Sequence, residues 1–322
     1  MSFTKGHVPV LLDDFLYYFS IVSETAKNKG LNYFFDFTFG LGGHSLAILK
    51  NYDWVNIVAF DADPSACTMA AENYRDYIES GRLKIINSNF VEFGRHVETQ
   101  TIKKAFAALA DFGISSHQLS VEKRGFSFDD RSSLDMRIDP NATSIDAKNV
   151  VNSFSEEEIA DILFRLGDER LSRPIAHEIA ARRSEKSIES SFELAEIVRK
   201  VYKRHPRIKM DIDFATKSFM ALRIFVNNEL DAIASLLRNV KSSFNGGAWL
   251  FAISFHSNED RIVKDFITEE SCGCICPKQL PCVCNHKPAI KSIVRKPVCA
   301  KDAEMRENPR SRSAKMRIFE LL

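Results

Sequence analysis

The sequence predicts an α/β protein built on a mostly parallel sheet, with an all-helical domain inserted into it. Three observations carry that expectation. Strand-like runs alternate with helical patterns as far as Asp111, which argues for parallel strands joined by helices. The centre of the long stretch between Asp111 and Ala248 reads as helix. Finally, an aromatic, β-prone run drives into a glycine cluster that opens a helix, Phe35-Asp36-Phe37-Thr38-Phe39-Gly40-Leu41-Gly42-Gly43-His44-Ser45.

The first strand is expected at Tyr33–Phe39. The glycines after it let the chain turn sharply and approach a ligand, and the helix begun by Leu46-Ala47-Ile48-Leu49 offers unpaired N–H groups. A second strand, Asn56–Phe60, ends at Asp61, 25 residues after Asp36. Nucleotide-binding βαβ units place there the acid that takes the ribose hydroxyls. Gly40-Leu41-Gly42-Gly43 lacks the third glycine of G-x-G-x-x-G, and no P-loop is present. A nucleoside cofactor, not a dinucleotide, is therefore expected. Further strands are predicted at Leu83–Asn87, Ala105–Asp111, Ala248–Phe255 and Ala314–Glu320.

The fourth and fifth strands lie about 135 residues apart, where a crossover needs a few dozen. Ser155-Glu156-Glu157-Glu158 reads as a capping box leading into Ile159, Ile162, Leu163 and Leu166 at helical spacing. Pro174–Arg183 and Phe192–Tyr202 continue in that style. The expected division is a core from residues 1–138 and 214–322, a helical insertion at 139–213, and a Cys-rich insert at 272–286. One long helix, Thr216–Val240, is predicted to return to the sheet on a stripe of Phe219, Leu222, Val226, Ile233 and Leu237.

Net charge is +1, so no global field advertises a polyanion. Its distribution is less even. Residues 278–317 hold eleven Lys/Arg against three acids, and residues 199–209 hold six cations. Such runs serve either as solvated faces or as nucleic-acid contacts. No apolar run near 18 residues and no signal-peptide pattern occur, which predicts a soluble, cytoplasmic protein with no membrane partner. Five of the seven cysteines, Cys272, Cys274, Cys276, Cys282 and Cys284, crowd together beside His286, whereas Cys67 and Cys299 look like ordinary small apolar residues.

Asp111-Phe112-Gly113-Ile114-Ser115-Ser116-His117-Gln118 follows the fourth strand, the edge where ligands gather in open α/β sheets. Its side chains suit a substrate amine; they also suit a polar loop with a helix cap. Arg124-Gly125-Phe126-Ser127-Phe128 pairs a cation with rings able to stack on a base, although two such rings also plug cores. His256-Ser257 lacks a G-x-S-x-G elbow, which argues against a serine hydrolase.

Seven ordered segments then resemble one family: His7–Asp13, Thr38–Ser45, Gly125–Phe128, Leu134–Arg137, Val226–Leu230, Ser254–Ser257 and Asn308–Lys315. The chain resembles, end to end, the MraW/RsmH family of 16S rRNA (cytosine-N4)-methyltransferases. The resemblance implies a class I S-adenosylmethionine-dependent methyltransferase, Rossmann-like with a helical insertion, acting on N4 of a cytidine in the P site of the small ribosomal subunit. By motif, Gly42, Gly43 and His44 line the methionine and ribose side of S-adenosyl-L-methionine, Asp61 takes the ribose hydroxyls, Phe90 contacts adenine, and Asp111 and Gln118 fall at the remaining cofactor positions. His117, Ile138 and Asn258 depart from the family pattern without removing an expected ligand.

Cytosine N4 is a poor nucleophile because its lone pair is delocalised, so an acceptor on the amine is expected, from Asp111 or from Ser115 and Ser116. Arg124, Phe126, Phe128 and Arg137, with Asn227 and His256, are the expected pocket for an unstacked base. The expected partner is 16S rRNA or the small subunit; oligomeric state is open, a homodimer included. A methyltransferase acting on protein or a small molecule, and a non-catalytic assembly factor, are the competing readings. The cysteines suit four thiolates on Zn²⁺ without the usual C-x-x-C spacing, or reduced or redox-paired thiols.

Overall fold

The computed structural model describes residues 9–113, 123–274, 276 and 283–322. Eight strands form one sheet: β1 (Tyr33–Asp36), β2 (Asn56–Asp61), β3 (Leu83–Asn87), β4 (Ala105–Asp111), β5 (Trp249–Ser254), β6 (Ile290–Ser292), β7 (Val298–Cys299) and β8 (Lys315–Leu321). Their order is β3-β2-β1-β4-β5-β8-β6, with β7 also on β8. Strands β1 to β5 pair in parallel, and β8 runs antiparallel to β5, β6 and β7. The winding reverses between β1 and β4, which makes their carboxyl ends the topological switch point. This is the class I methyltransferase architecture that the resemblance implies.

Both faces of the sheet are covered, and the strand sequences show why. Phe34 lies in one apolar layer with Phe15 and Phe19 of α1 (Leu12–Asn28) and Ile48 of α2 (Gly43–Asn51). Phe35, its neighbour, lies in the opposite layer with Phe93 and Phe244. Successive residues point to opposite faces, so a strand buried on both reads as an unbroken apolar run. The central strand β4 is rich in alanine, and Ala105, Ala107, Ala108 and Ala110 are fully buried. Rings from neighbouring elements fill the space, Phe15 meeting Phe251 edge-on at 4.9 Å, and the strand's own Phe106 packs on Trp54 at 5.5 Å. Helix α3 (Pro64–Asn73) follows β2 and is capped by the buried Asp63, whose Oδ1 accepts the Ser65 N–H at 3.0 Å.

The chain separates into two compact units, one comprising Met1–Gly113 and Leu230–Leu322, the other Ile114–Glu229. In the second, α4 (Ala147–Ser153), α5 (Glu156–Gly167), α6 (Ser172–Glu185), α7 (Ser191–Lys203) and α8 (Thr216–Asn227) enclose a cluster that includes Val150, Leu163, Ile175, Leu194 and Leu222. The capping box opens α5 as expected: the Glu158 N–H donates to Ser155 Oγ at 3.2 Å and the Ser155 N–H to Glu158 Oε2 at 2.8 Å. Phe126, Leu134 and Met136 belong to the same cluster, so the 124–138 segment folds with the helices.

The predicted helix Thr216–Val240 is instead two helices, α8 and α9 (Glu229–Ser243), separated by Asn228 in the left-handed conformation (φ 49°, ψ 42°). Asparagine tolerates that conformation better than most residues. Its N–H closes α8 on the Phe225 carbonyl at 3.2 Å, and the Arg223 guanidinium holds Glu229 bidentately at 2.8 Å. The apolar stripe divides there, with Phe219, Leu222 and Val226 in the helical cluster and Ile233 and Leu237 under the sheet. Helix α10 (Ser257–Glu270) follows β5. No described helix is long and apolar enough to cross a membrane.

Candidate active site

At the carboxyl ends of β1, β2 and β4 the chain gathers three carboxylates, Asp36, Asp61 and Asp111. Asp36 ends β1 four residues before the turn at Gly40 and is 2% exposed. Its Oδ2 accepts the Ser45 hydroxyl at 2.6 Å and its Oδ1 the Thr38 N–H at 3.2 Å. Those bonds bend the chain out of the strand earlier than the sequence pattern predicts. Burial pushes its pKa up to about 6; the bonds from Ser45 and Thr38 only partly offset this, and Asp61 adds to the rise.

The glycine turn is clamped from several sides. The Gly40 N–H donates to Asp61 Oδ2 at 2.6 Å, and Tyr74 donates its phenol hydrogen to the Leu41 carbonyl at 2.5 Å. Gly42 precedes α2 with φ at 72°, and a Cβ there would lie 2.5 Å from the Phe39 ring. At Gly43 a Cβ would lie 2.3 Å from Pro9. Only glycine fits both places. The result draws the backbone and the start of α2 tightly against the strand ends.

His44 is buried beneath this turn, its Nε2 3.0 Å from the Val10 carbonyl. A carbonyl only accepts, so Nε2 carries a proton, while Nδ1 lies 4.0 Å from Asp111 Oδ2. The Asp111 N–H donates to Thr38 Oγ1 at 2.6 Å, tying β4 to the turn after β1. Among the described residues, Asp111 Oδ1 is a buried oxygen without a hydrogen-bond partner. Burial first, then the neighbouring Asp36 and Glu259, hold its carboxyl well above the usual range. Such a group is poised to receive a cation or a hydrogen-bond donor.

Asp61 also accepts the Asp63 N–H at 2.8 Å through Oδ1, and Asn87 donates to the Asp61 carbonyl at 3.0 Å. Phe90 stands on a short turn after β3, capped by Asn89 Oδ1 accepting the Val91 N–H at 3.0 Å, with its ring 6.5 Å from Phe112. The Cys67 thiol is pushed up to about 12 by burial and by Asp61, so it stays protonated.

Of the expected site residues, Gly42, Gly43, His44, Asp61, Phe90 and Asp111 belong to the sheet unit. Ser115, Ser116 and Gln118 lie outside the described residues. His256 caps α10: its Nδ1 accepts the Glu259 N–H at 3.4 Å, and Glu259 Oε2 accepts the Phe255 N–H at 2.7 Å. In the helical unit, Phe126 is 6% exposed within the core and Phe128 packs edge-on against Phe219 at 4.8 Å. Arg124 donates to the Arg137 and Ile138 carbonyls at 3.2 and 2.7 Å. Arg137 forks onto Asp135 at 2.7 and 2.8 Å and also donates to the Pro140 and Thr143 carbonyls. Asn227 accepts the Ile138 N–H at 2.7 Å and donates to the Met136 carbonyl at 2.8 Å. These polar groups hold the shape of the 124–138 segment.

Sequence reasoning missed Asp36, Thr38, Ser45 and Tyr74 as parts of the site. Tyr74 stands 33 residues from the carbonyl it binds, and no local pattern marks that pairing.

The model of the MraW methylase family matches residues 4–322. The chain belongs to that family. MraW relatives named "Ribosomal RNA small subunit methyltransferase H" include that of Finegoldia magna, 35% identical over 315 residues covering 98% of each chain. That of Dehalococcoides mccartyi is 39% identical over 317 residues, 98% of this chain and 86% of the relative. That of Clostridioides difficile is 37% identical over 316 residues, 98% of each. In this MraW protein the strand ends bring together an acid after β2, a tight glycine turn at a helix start, and an acid on β4 whose buried Oδ1 has no partner among the described residues, donors and acceptors that fit a nucleoside cofactor with a cationic centre.

Proposed function

We propose that this chain transfers a methyl group from S-adenosylmethionine to N4 of a cytidine in the decoding centre (P site) of 16S rRNA. The carrying observation is Asp111, a partly buried carboxyl at the switch point whose buried Oδ1 has no hydrogen-bond partner among the described residues, in a chain that the MraW family model matches over residues 4–322. Relatives bearing a small-subunit rRNA methyltransferase name support the substrate class.

In this reading Gly42, Gly43 and His44 hold the methionine side of the cofactor, Asp61 the ribose and Phe90 the adenine, with Gln118 completing the set. When bound, the cofactor supplies an electrophilic methyl on a positively charged sulfur. Asp36, Asp61 and Asp111 make the cradle electronegative, which favours a cationic ligand. Asp111, once ionised, accepts a hydrogen from the N4 amine and frees its lone pair from the ring. Ser115 and Ser116 are the alternative acceptors. Arg124, Phe126, Phe128, Arg137 and Asn227 contribute through the shape of the 124–138 segment. His256 contributes through the start of α10.

The test is incubation with isotopically labelled S-adenosylmethionine and small subunits lacking the modification, followed by mass-spectrometric mapping. Label on one cytidine, at N4, is the expected result. Cofactor binding without any labelled nucleotide removes the RNA reading and leaves a methyltransferase for another acceptor.

A further inference from the structure

We infer that Cys274, Cys276 and Cys284 form a binding site for a thiophilic divalent cation, with Zn²⁺ the best fit. After α10 the chain makes an excursion whose base is closed by the Ala289 N–H donating to the Glu270 carbonyl at 2.8 Å. Within it, the three sulfurs lie within 4.8 Å of one another. Cys284 and Cys274 are 3.8 Å apart, Sγ to Sγ. Thiolates on a tetrahedral zinc at ~2.3 Å stand about 3.8 Å apart, so that separation matches one edge of the coordination shell.

Backbone geometry supports the same assignment. The Cys276 N–H points to Cys274 Sγ at 3.4 Å and the Val283 N–H to Cys276 Sγ at 3.5 Å. Such N–H···S bonds favour the thiolate and orient it as a ligand. Cys272 stands apart, its thiol directed to the Cys274 carbonyl at 2.7 Å, and Cys282 lies outside the described residues. Three sulfurs leave one vertex of the tetrahedron for a further donor. On binding, each ligating thiol passes its proton to solvent, and no redox partner is required.

The excursion also needs a clip. Val283, its large apolar residue among those described, is 82% exposed, so that side chain adds little burial. Short segments without a core of their own rely on metals or disulfides. Softness of the donors selects zinc over magnesium or calcium.

The experiment uses the full chain purified under reductant without chelator. Elemental analysis should find one zinc per chain, and titration with a mercurial should release it in step with thiol modification. Cobalt exchanged into the site should give thiolate-to-metal charge transfer and the intense visible bands of tetrahedral Co²⁺. C274S, C276S and C284S should each lose the metal, while C67S and C299S keep it. The mercurial and cobalt readouts use the unmutated chain, so they stand even where a variant misfolds. Failure of the reduced wild-type chain to bind zinc or cobalt overturns the proposal, as does zinc retained when all three cysteines are replaced.

Discussion

Asp36 is a carboxylate that the fold holds against its preference. Its native pKa, about 6, exceeds the ordinary 3.8, so between those values the native state binds more protons than the unfolded chain. Asp36 is therefore least costly to the fold below that window, and stability falls as pH rises through about 6. Asp36→Asn should flatten this dependence and raise stability near pH 7 by about 1–3 kcal/mol, read from urea melts on either side of the window. A steeper pH dependence in the variant would exclude the assignment. Asp111 leads to a binding prediction of the same kind. Its raised pKa means that a cationic cofactor drives off a proton, so affinity for S-adenosylmethionine should rise with pH and calorimetry in buffers of different ionisation heat should detect proton release. Asp111→Asn should abolish that release and lower turnover by at least ~100-fold. Persistent turnover with only cofactor affinity reduced would remove Asp111 from the chemistry.

Among the elements, the turn between β1 and α2 is the most tightly constrained. Gly42→Ala must place a methyl into the Phe39 ring while keeping φ at 72°. We expect a loss of ~2 kcal/mol or more in stability and a matching loss of cofactor binding, followed by thermal shift with and without cofactor. In the helical unit, the fully buried Glu169 accepts the Tyr202 hydroxyl at 2.6 Å and the Leu171 N–H at 3.0 Å. Tyr202→Phe strands part of that carboxylate and should cost about 1–3 kcal/mol, seen as earlier melting of the chain. β1 to β5 and β8, the capping box at Ser155 and the glycine turn were legible in the sequence because each rests on spacing within a few residues, whereas β6 and β7, three and two residues long, carry too short a pattern to read. The break at Asn228 was not: the apolar positions on either side keep one helical period, and only their separate destinations reveal two helices. Likewise Thr38 and Asp111 are 73 residues apart, and only the parallel neighbours β1 and β4 bring them together.

Across the whole molecule, near-neutral charge hides an uneven distribution. The basic run 199–209 is partly neutralised within its own unit, Arg199 by Asp213 and Glu196, and Lys200 and Arg204 by Glu178. Near β6 the cations Lys291, Arg295 and Lys296 are exposed. Replacing these three by Glu should weaken small-subunit binding ~10-fold or more and flatten its salt dependence, with cofactor affinity unchanged. An unaltered salt slope in filter binding would place the phosphate contacts elsewhere.

The strand order has a consequence for how the chain is made. β4 pairs with β1 on one side and with β5 on the other, yet residues 112–248 are synthesised between β4 and β5. At ordinary translation rates that interval lasts roughly ten to thirty seconds. Throughout it, one edge of an alanine-lined strand has backbone donors and acceptors with no permanent partner. The nascent sheet is thus half-built while the helical unit, whose contacts are local, completes itself. The vulnerable species on the ribosome is therefore a four-stranded β1–β4 sheet, and a chaperone would find its substrate along the open flank of β4.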